Sequence, residues 1–317
     1  MMCIIVCLFE LINSLLFISS QLSVKLGFKM NKVNGLIATV LLSAVPLFAQ
    51  AKALEVKVYN ADSHSFHVNS TLVYGDTEAV VFDAGFTKAD AMRIAANVLD
   101  SGKNLTKIFV SQADPDYYFG AETLKQIFPK AQILATPKVR QVIAKKMQAK
   151  LGYWAPKMGD NAPKSPVLPT AFNQSSFTID GYKVEIKGTD GLLAHRPYIW
   201  IPSIKAIIGN VAIYGGLHAW TADTQTVDQL SSWKQQLTQM QDLKPQIVVP
   251  GHMSAESKTN AENISYTLHY LNVFEQSKAN SKNAEGLIND MSTSFPKAQL
   301  PIALNIGAKV HMGEMKW

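Results

Sequence analysis

One stretch constrains this chain more than any other: Lys107-Ile-Phe-Val-Ser-Gln-Ala-Asp-Pro-Asp-Tyr-Tyr-Phe-Gly-Ala121. Lys107 to Val110 reads as a short buried strand and Ser111 to Phe119 as a polar loop containing a proline. Gly120 to Phe128 then places Leu124, Ile127 and Phe128 at helical spacing. A loop between a buried strand and a helix is where α/β proteins usually place their chemistry. This one carries Gln112, Asp114, Asp116, Tyr117 and Tyr118. Asp114 and Asp116 are close in sequence beside an apolar floor, where two carboxylates do not both ionise easily. One of the pair can then hold its proton, and the two can act as general acid and base. The same carboxylates also suit a metal ion. A purely structural role is the third reading, with Asp114 capping the helix region and Asp116 fixing the loop. The residues alone leave all three open.

The rest of the chain alternates strands and helices. Leu54–Tyr59 is a strand with alternating pattern, followed by a polar turn that carries His64 and His67, read as solvated rather than as a metal pair. Ser70–Tyr74 and Ala79–Phe82 flank Gly75-Asp76 as a hairpin that closes on Asp83-Ala-Gly85. Lys88–Leu99 is an amphipathic helix with Gly102 as its stop. Ala131–Ala135 is a strand, and Thr136-Pro137 starts a helix predicted to run to about Lys150. Gly152 to Pro169 is rich in proline and reads as a long irregular segment, in which Tyr153 and Trp154 either cover a site or pack the loop onto the body. Phe177–Lys187 is a hairpin around Asp180-Gly181, and Tyr198–Pro202 and Ala206–Gly209 are strands. A helix capped by Asp223 or Thr224 runs to about Leu243, the strand Gln246–Val249 ends in Pro250-Gly-His252, and two helices and a tail follow. The pattern makes two similar halves, roughly 54–150 and 176–275. The order alone allows either two facing halves or a doubly wound sheet.

The central stretch resembles the metallo-β-lactamase superfamily, which writes a strand followed by Ser/Thr-His-x-His-x-Asp-His-x-Gly. On this chain the first His falls on Gln112, the second on Asp114, the Asp on Asp116 and the third His on Tyr117. The hairpin closing on Asp83-Ala-Gly85 fits the opening of that family's domain, with Asp83 in a structural role. Pro250-Gly-His252 fits its last ligand motif, and Gly209-Asn210 stands where the family has Gly-Asp. The family's Gly-His-Thr-Pro-Gly falls with its His on Leu192, or on His195 after a three-residue slip. His218 and Trp220 follow the Asn210 strand and could reach the site mouth.

The resemblance covers about residues 55–255. It implies a four-layer αββα sandwich, a single domain from 54 to 317 with C-terminal helices, and zinc as cofactor. Gln and Tyr are poor zinc ligands at neutral pH and Asn is poorer than Asp, so at most one weakly held divalent ion is expected. Asp116 and His252 would form its core, with Asp114 or His195 completing it. Asp116 and Asp114 are the catalytic candidates. Gln112, Tyr117, Asn210, His218 and Trp220 are the substrate-binding candidates. The implied activity is hydrolysis of an ester, lactone or amide by an activated water. The competing reading is a catalytically silent protein that keeps the pocket for a small molecule.

Charge and leader bound the partners. The net charge is +6, and residues 1–53 hold four Lys against one acid, so +3 lies there and +3 remains. The remainder has no run of like charges, which argues against nucleic acid as a partner. Met30-Asn-Lys followed by the apolar run Gly35–Phe48 and small-x-small sites at 49–53 reads as a secretory signal, 30–53. Residues 1–29 then read as an upstream extension, with Met30 as the expected start. The apolar run is shorter than the ~20 residues that span a bilayer. A periplasmic or secreted protein with no membrane span after signal removal is expected. Cys3 and Cys7 both lie in the removed part, so the mature chain would hold no thiol.

Overall fold

The structure, a computed structural model, describes residues 53–317; the predicted signal and upstream extension lie almost wholly outside them. Two sheets face each other. The first has β1 (Glu55–Asn60), β2 (Asn69–Tyr74), β3 (Glu78–Phe82), β4 (Asn104–Val110), β5 (Gln132–Ala135) and β6 (Thr170–Ala171) in that order. β1, β2 and β3 are antiparallel, and β3, β4, β5 and β6 run parallel. The second sheet contains β7 (Ser176–Ile179), β8 (Tyr182–Lys187), β9 (Tyr198–Ile201), β10 (Ala206–Ile208) and β12 (Ile247–Val248), in the order β12-β10-β9-β8-β7. A small parallel pair, β11 (Tyr214–Gly215) and β13 (His252–Met253), completes the strands.

Side-chain alternation explains the layers. Successive strand residues point to opposite faces. In β3, Val80 and Phe82 enter the core between the sheets, while Ala79 and Val81 face the helices. In β9, Ile199 and Ile201 meet that same inner core, and Tyr198 and Trp200 face outward. Both strands are buried on both faces, so they read as apolar runs.

The outer layer of the first sheet is α1 (Lys88–Ser101), α2 (Pro115–Tyr118), α3 (Ala121–Ile127) and α4 (Pro137–Met158). That of the second is α5 (Val227–Asp242), α6 (Glu262–Asn280), α7 (Ala284–Ser294) and α8 (Pro301–His311). The result is the αββα sandwich that the resemblance implied. Each fully buried Leu, Ile or Phe in these three cores contributes roughly 1.5–3 kcal/mol of transfer free energy.

Several sequence expectations need correction. α4 does not stop near Lys150 but runs to Met158, through Gly152 and Pro156. Trp154 anchors the extra turns by packing edge-on against Phe66 and Phe86, at 5.5 and 5.2 Å between ring centroids. Tertiary packing thus overrides two poor helix formers. Tyr153 stays exposed at the cavity mouth while Trp154 packs inward. The cap of α5 is Thr226, not Asp223 or Thr224: Thr226 and Gln229 form a reciprocal capping box. Three helices, not two, follow β13. Among the described residues no helix is long and apolar enough to cross a membrane.

Candidate active site

The loop after β4 is fixed before any chemistry is considered. Asp83, at φ 65°, accepts the Ser111 backbone N–H at 2.7 Å and the Ser111 hydroxyl at 2.8 Å. Burial pushes its carboxyl up to about 7, and the two Ser111 bonds pull it back toward the charged form. Ala84 N–H donates to the Tyr117 carbonyl at 2.8 Å, and Gly120 N–H to the Gly85 carbonyl at 3.0 Å. This seats α2 on the hairpin end. A Cβ at 120 would stand 2.1 Å from the Ala84 carbonyl oxygen, so the contact requires glycine.

The turn presents Asp116 to His252 from the other half. Asp116 Oδ2 lies 3.5 Å from His252 Nε2, and both side chains are about nine-tenths buried. The other ring nitrogen, Nδ1, is 2.9 Å from the Phe66 carbonyl oxygen. A carbonyl only accepts, so Nδ1 carries the hydrogen and Nε2 turns its lone pair toward Asp116. The ring is stacked on Tyr214 at 5.4 Å and 9°, with Tyr117 edge-on at 5.5 Å. Gly251 makes the approach possible: a Cβ there would lie 2.2 Å from the Asn210 carbonyl oxygen and 2.5 Å from Tyr117 Oη.

Phe66 is itself held in place. It and His67 both sit at φ 56°, an uncommon left-handed conformation for residues other than glycine. The preceding turn is anchored by buried Asp90, which accepts the hydroxyls of Ser65 and Tyr59, each at 2.6 Å.

Electrostatics set the pair apart from ordinary surface residues. Burial, and then the charge of Asp114, hold the Asp116 carboxyl well above the usual carboxylate range. Burial lowers His252 to about 4. Each group therefore favours its neutral form, a carboxylic acid facing an imidazole lone pair. Their 3.5 Å separation is longer than a good hydrogen bond, which leaves the pair free to engage a third group.

The pair forms part of the wall of a cavity of about 390 Å³. Phe66, Phe86, Trp154, Trp220 and Trp317 supply aromatic surface, and Leu300, Ile302 and Ile306 close the far side. Trp220 Nε1 and Trp317 Nε1 donate to the two oxygens of Asp223 at 2.9 and 2.7 Å. A second, polar cleft of about 430 Å³ shares Asp114, Arg196 and Asp223 with the first, and Gln112, Lys145, Lys146 and His195 also line it.

The residues singled out from sequence part company here. Asp114, Asp116, Tyr117, Trp220 and His252 line the aromatic cavity. Gln112 does not: it lines the polar cleft, and its side-chain oxygen accepts the Ala113 N–H at 2.5 Å. Asn210 is buried scaffold, donating to the Val249 carbonyl and accepting from Ile213 N–H, each at 3.0 Å. His218 is a core histidine rather than a mouth residue. It lies 3.2 Å from Tyr270 Oη, and burial lowers it to about 4. His195 lines the polar cleft, where burial and the neighbouring Arg196 charge lower it to about 4. Asp114 is 3.5 Å from Lys150 Nζ.

Zinc, which the resemblance implied, does not fit this donor set. Among the described residues no three His, Cys, Asp or Glu side chains converge in a way that could hold a metal ion. Asp116 and His252 meet, but Asp114 is turned to a lysine, and His195 stands beside a guanidinium that repels a cation.

Arg196, Lys150, Tyr214, Trp317 and the α8 isoleucines carried no signal in the sequence reading. Spacing alone offers one clue, since Lys150 and Trp154, like Ile302 and Ile306, are four apart on one helix face.

Three solved structures are similar to this chain. A metallo-beta-lactamase from Pontibacter korlensis is 18% identical, with a TM-score of 0.50 over 69% of this chain and 95% of that one. DIM-1 metallo-beta-lactamase is 13% identical, with a TM-score of 0.47 over 69% and 93%. IND-7 is 13% identical, with a TM-score of 0.48 over 69% and 94%. No curated protein matches the chain. The sequence profile of the metallo-beta-lactamase superfamily matches residues 65–252, more than half of the chain and nearly all of both sheets. This protein belongs to the metallo-β-lactamase superfamily.

Proposed function

We propose that the protein is a hydrolase acting on an ester, lactone or amide bond of a small, largely apolar molecule, with Asp116 and His252 as acid and base. One observation carries the reading: a carboxyl and an imidazole of opposite halves meet at 3.5 Å in the wall of an aromatic cavity. Water attacks the carbonyl carbon and gives its proton to His252 Nε2, forming a tetrahedral intermediate. As the intermediate collapses, the carbon–oxygen or carbon–nitrogen bond breaks and Asp116 gives its proton to the departing oxygen or nitrogen. Transfer from His252 back to Asp116 then restores the starting state. The Phe66 carbonyl holds the imidazole in the tautomer this requires and favours the imidazolium that forms. The apolar surround excludes bulk water and strengthens these interactions. No step runs through a metal.

A panel of chromogenic apolar esters, lactones and anilides tests the reading on purified protein. Hydrolysis that falls steeply in Asp116→Asn supports it; turnover equal in both proteins overturns it. The second reading, a silent binding protein, is favoured by the way Gln112 and Asn210 spend their polar atoms on the backbone. We also propose export, on the signal-like segment 30–53, which N-terminal sequencing of the mature chain would test.

A further inference from the structure

The aromatic cavity and the polar cleft share three lining residues, Arg196, Asp114 and Asp223. Arg196 is only 4% exposed, and its Nε has no hydrogen-bond partner among the described residues. The guanidinium lies over the Trp233 ring at 5.4 Å, and its backbone carbonyl is held by Gln236 Nε2 at 2.9 Å. A buried guanidinium that is not fully bonded is costly unless something completes it. The nearby acids are already engaged: Asp114 with Lys150, and Asp223 with two indole N–H groups. Lys145 and Lys146 add two exposed ammonium groups along the cleft wall. Across both lobes four cations face three carboxyl groups, and one of those three, Asp116, faces His252 instead of a cation.

We infer that the joined lobes take an amphipathic anion, its apolar body in the aromatic cavity beside Asp116 and its acidic head in the cleft against Arg196. This rests on the reading of the cavity as a small-molecule site and adds the charge of the substrate. The planar fork of the guanidinium suits a carboxylate or a phosphate equally.

Calorimetric titration of the full protein with octanoate, octyl phosphate and 1-octanol tests the inference. The expected result is that at least one acid binds about tenfold or more tighter than the alcohol, the range of a charge-assisted bond. The tighter acid then names the head group. In Arg196→Met that advantage should shrink to about twofold or less while octanol affinity is retained. Octanol binding with no preference for either acid overturns the anion inference and leaves the apolar site standing. A preference that survives Arg196→Met also overturns it. Failure of all three to bind overturns the inference together with the small-molecule reading. Should Arg196→Met not fold, the surface variant Lys145→Gln/Lys146→Gln carries the test: about a threefold loss of acid preference supports the inference, and an unchanged preference overturns it.

Discussion

Asp83 and Asp116 are both buried aspartates on the same rim of the first sheet, yet their surroundings are opposite. Asp83 receives two hydrogen bonds from Ser111 and ties the hairpin to the loop after β4. Among the described residues Asp116 receives no side-chain hydrogen bond; it faces an imidazole across 3.5 Å and opens on a cavity. The first arrangement satisfies the carboxyl's hydrogen bonds and builds structure, although burial raises its pKa to about 7. The second leaves a carboxyl neutral and reactive, which is the condition for acid catalysis near neutral pH.

Substitution should separate the two roles. Asp116→Asn keeps the shape and removes the acid proton, so kcat/KM is expected to fall about 10²–10⁴-fold, while stability changes by less than about 1 kcal/mol. Steady-state kinetics and thermal unfolding on one preparation check both halves of that statement. Asp83→Ala should do the reverse. It strands two buried donors and forces alanine into a left-handed backbone, a loss of about 2–4 kcal/mol of stability seen as a lower denaturation midpoint.

The cavity wall and the scaffold differ in the same way. Trp154→Ala removes aromatic surface from the wall and is expected to raise KM about tenfold, with kcat less affected. A large fall in kcat with KM unchanged would instead place Trp154 in the chemistry. Chelation should have the smallest effect. Dialysis against a chelator is expected to leave turnover within about twofold, since the donors do not converge on a metal. Loss of activity restored by zinc would show that Asp116 and His252 recruit a ligand this arrangement does not provide.

Much of this architecture was legible in the sequence because strand alternation and turn chemistry are local. β2 and β3 follow from strand-forming runs on either side of the Gly75-Asp76 turn, and β7 and β8 from the hairpin around Asp180-Gly181. Asp116 and His252 were reachable through the resemblance of Asp-Pro-Asp-Tyr-Tyr-Phe-Gly and Pro-Gly-His to the ligand motifs of the metallo-β-lactamase superfamily. What escaped depends on long-range contact. In sequence Gly152 and Pro156 read as breakers that stop α4 near Lys150, whereas in the fold Trp154 finds Phe66 and Phe86 far upstream. His218 looked like a site residue until Tyr270, 52 positions away, took its ring nitrogen. Arg196 has no periodic or motif signal, and only the meeting of two cavities reveals it.

The central claim is that Asp116 and His252 face each other in their neutral forms. NMR titration of labelled protein reads this directly, through the His252 ring nitrogens and the Asp116 carboxyl carbon. The expected result is a neutral imidazole at pH 7 with its hydrogen on Nδ1, becoming protonated only as the pH falls toward about 4. The Asp116 carboxyl should stay protonated well above the normal aspartate range. The matching pH–rate profile is a bell, rising as His252 loses its proton and falling as Asp116 loses its own. An imidazolium at pH 7 opposite a carboxylate that titrates as an ordinary aspartate would contradict the account.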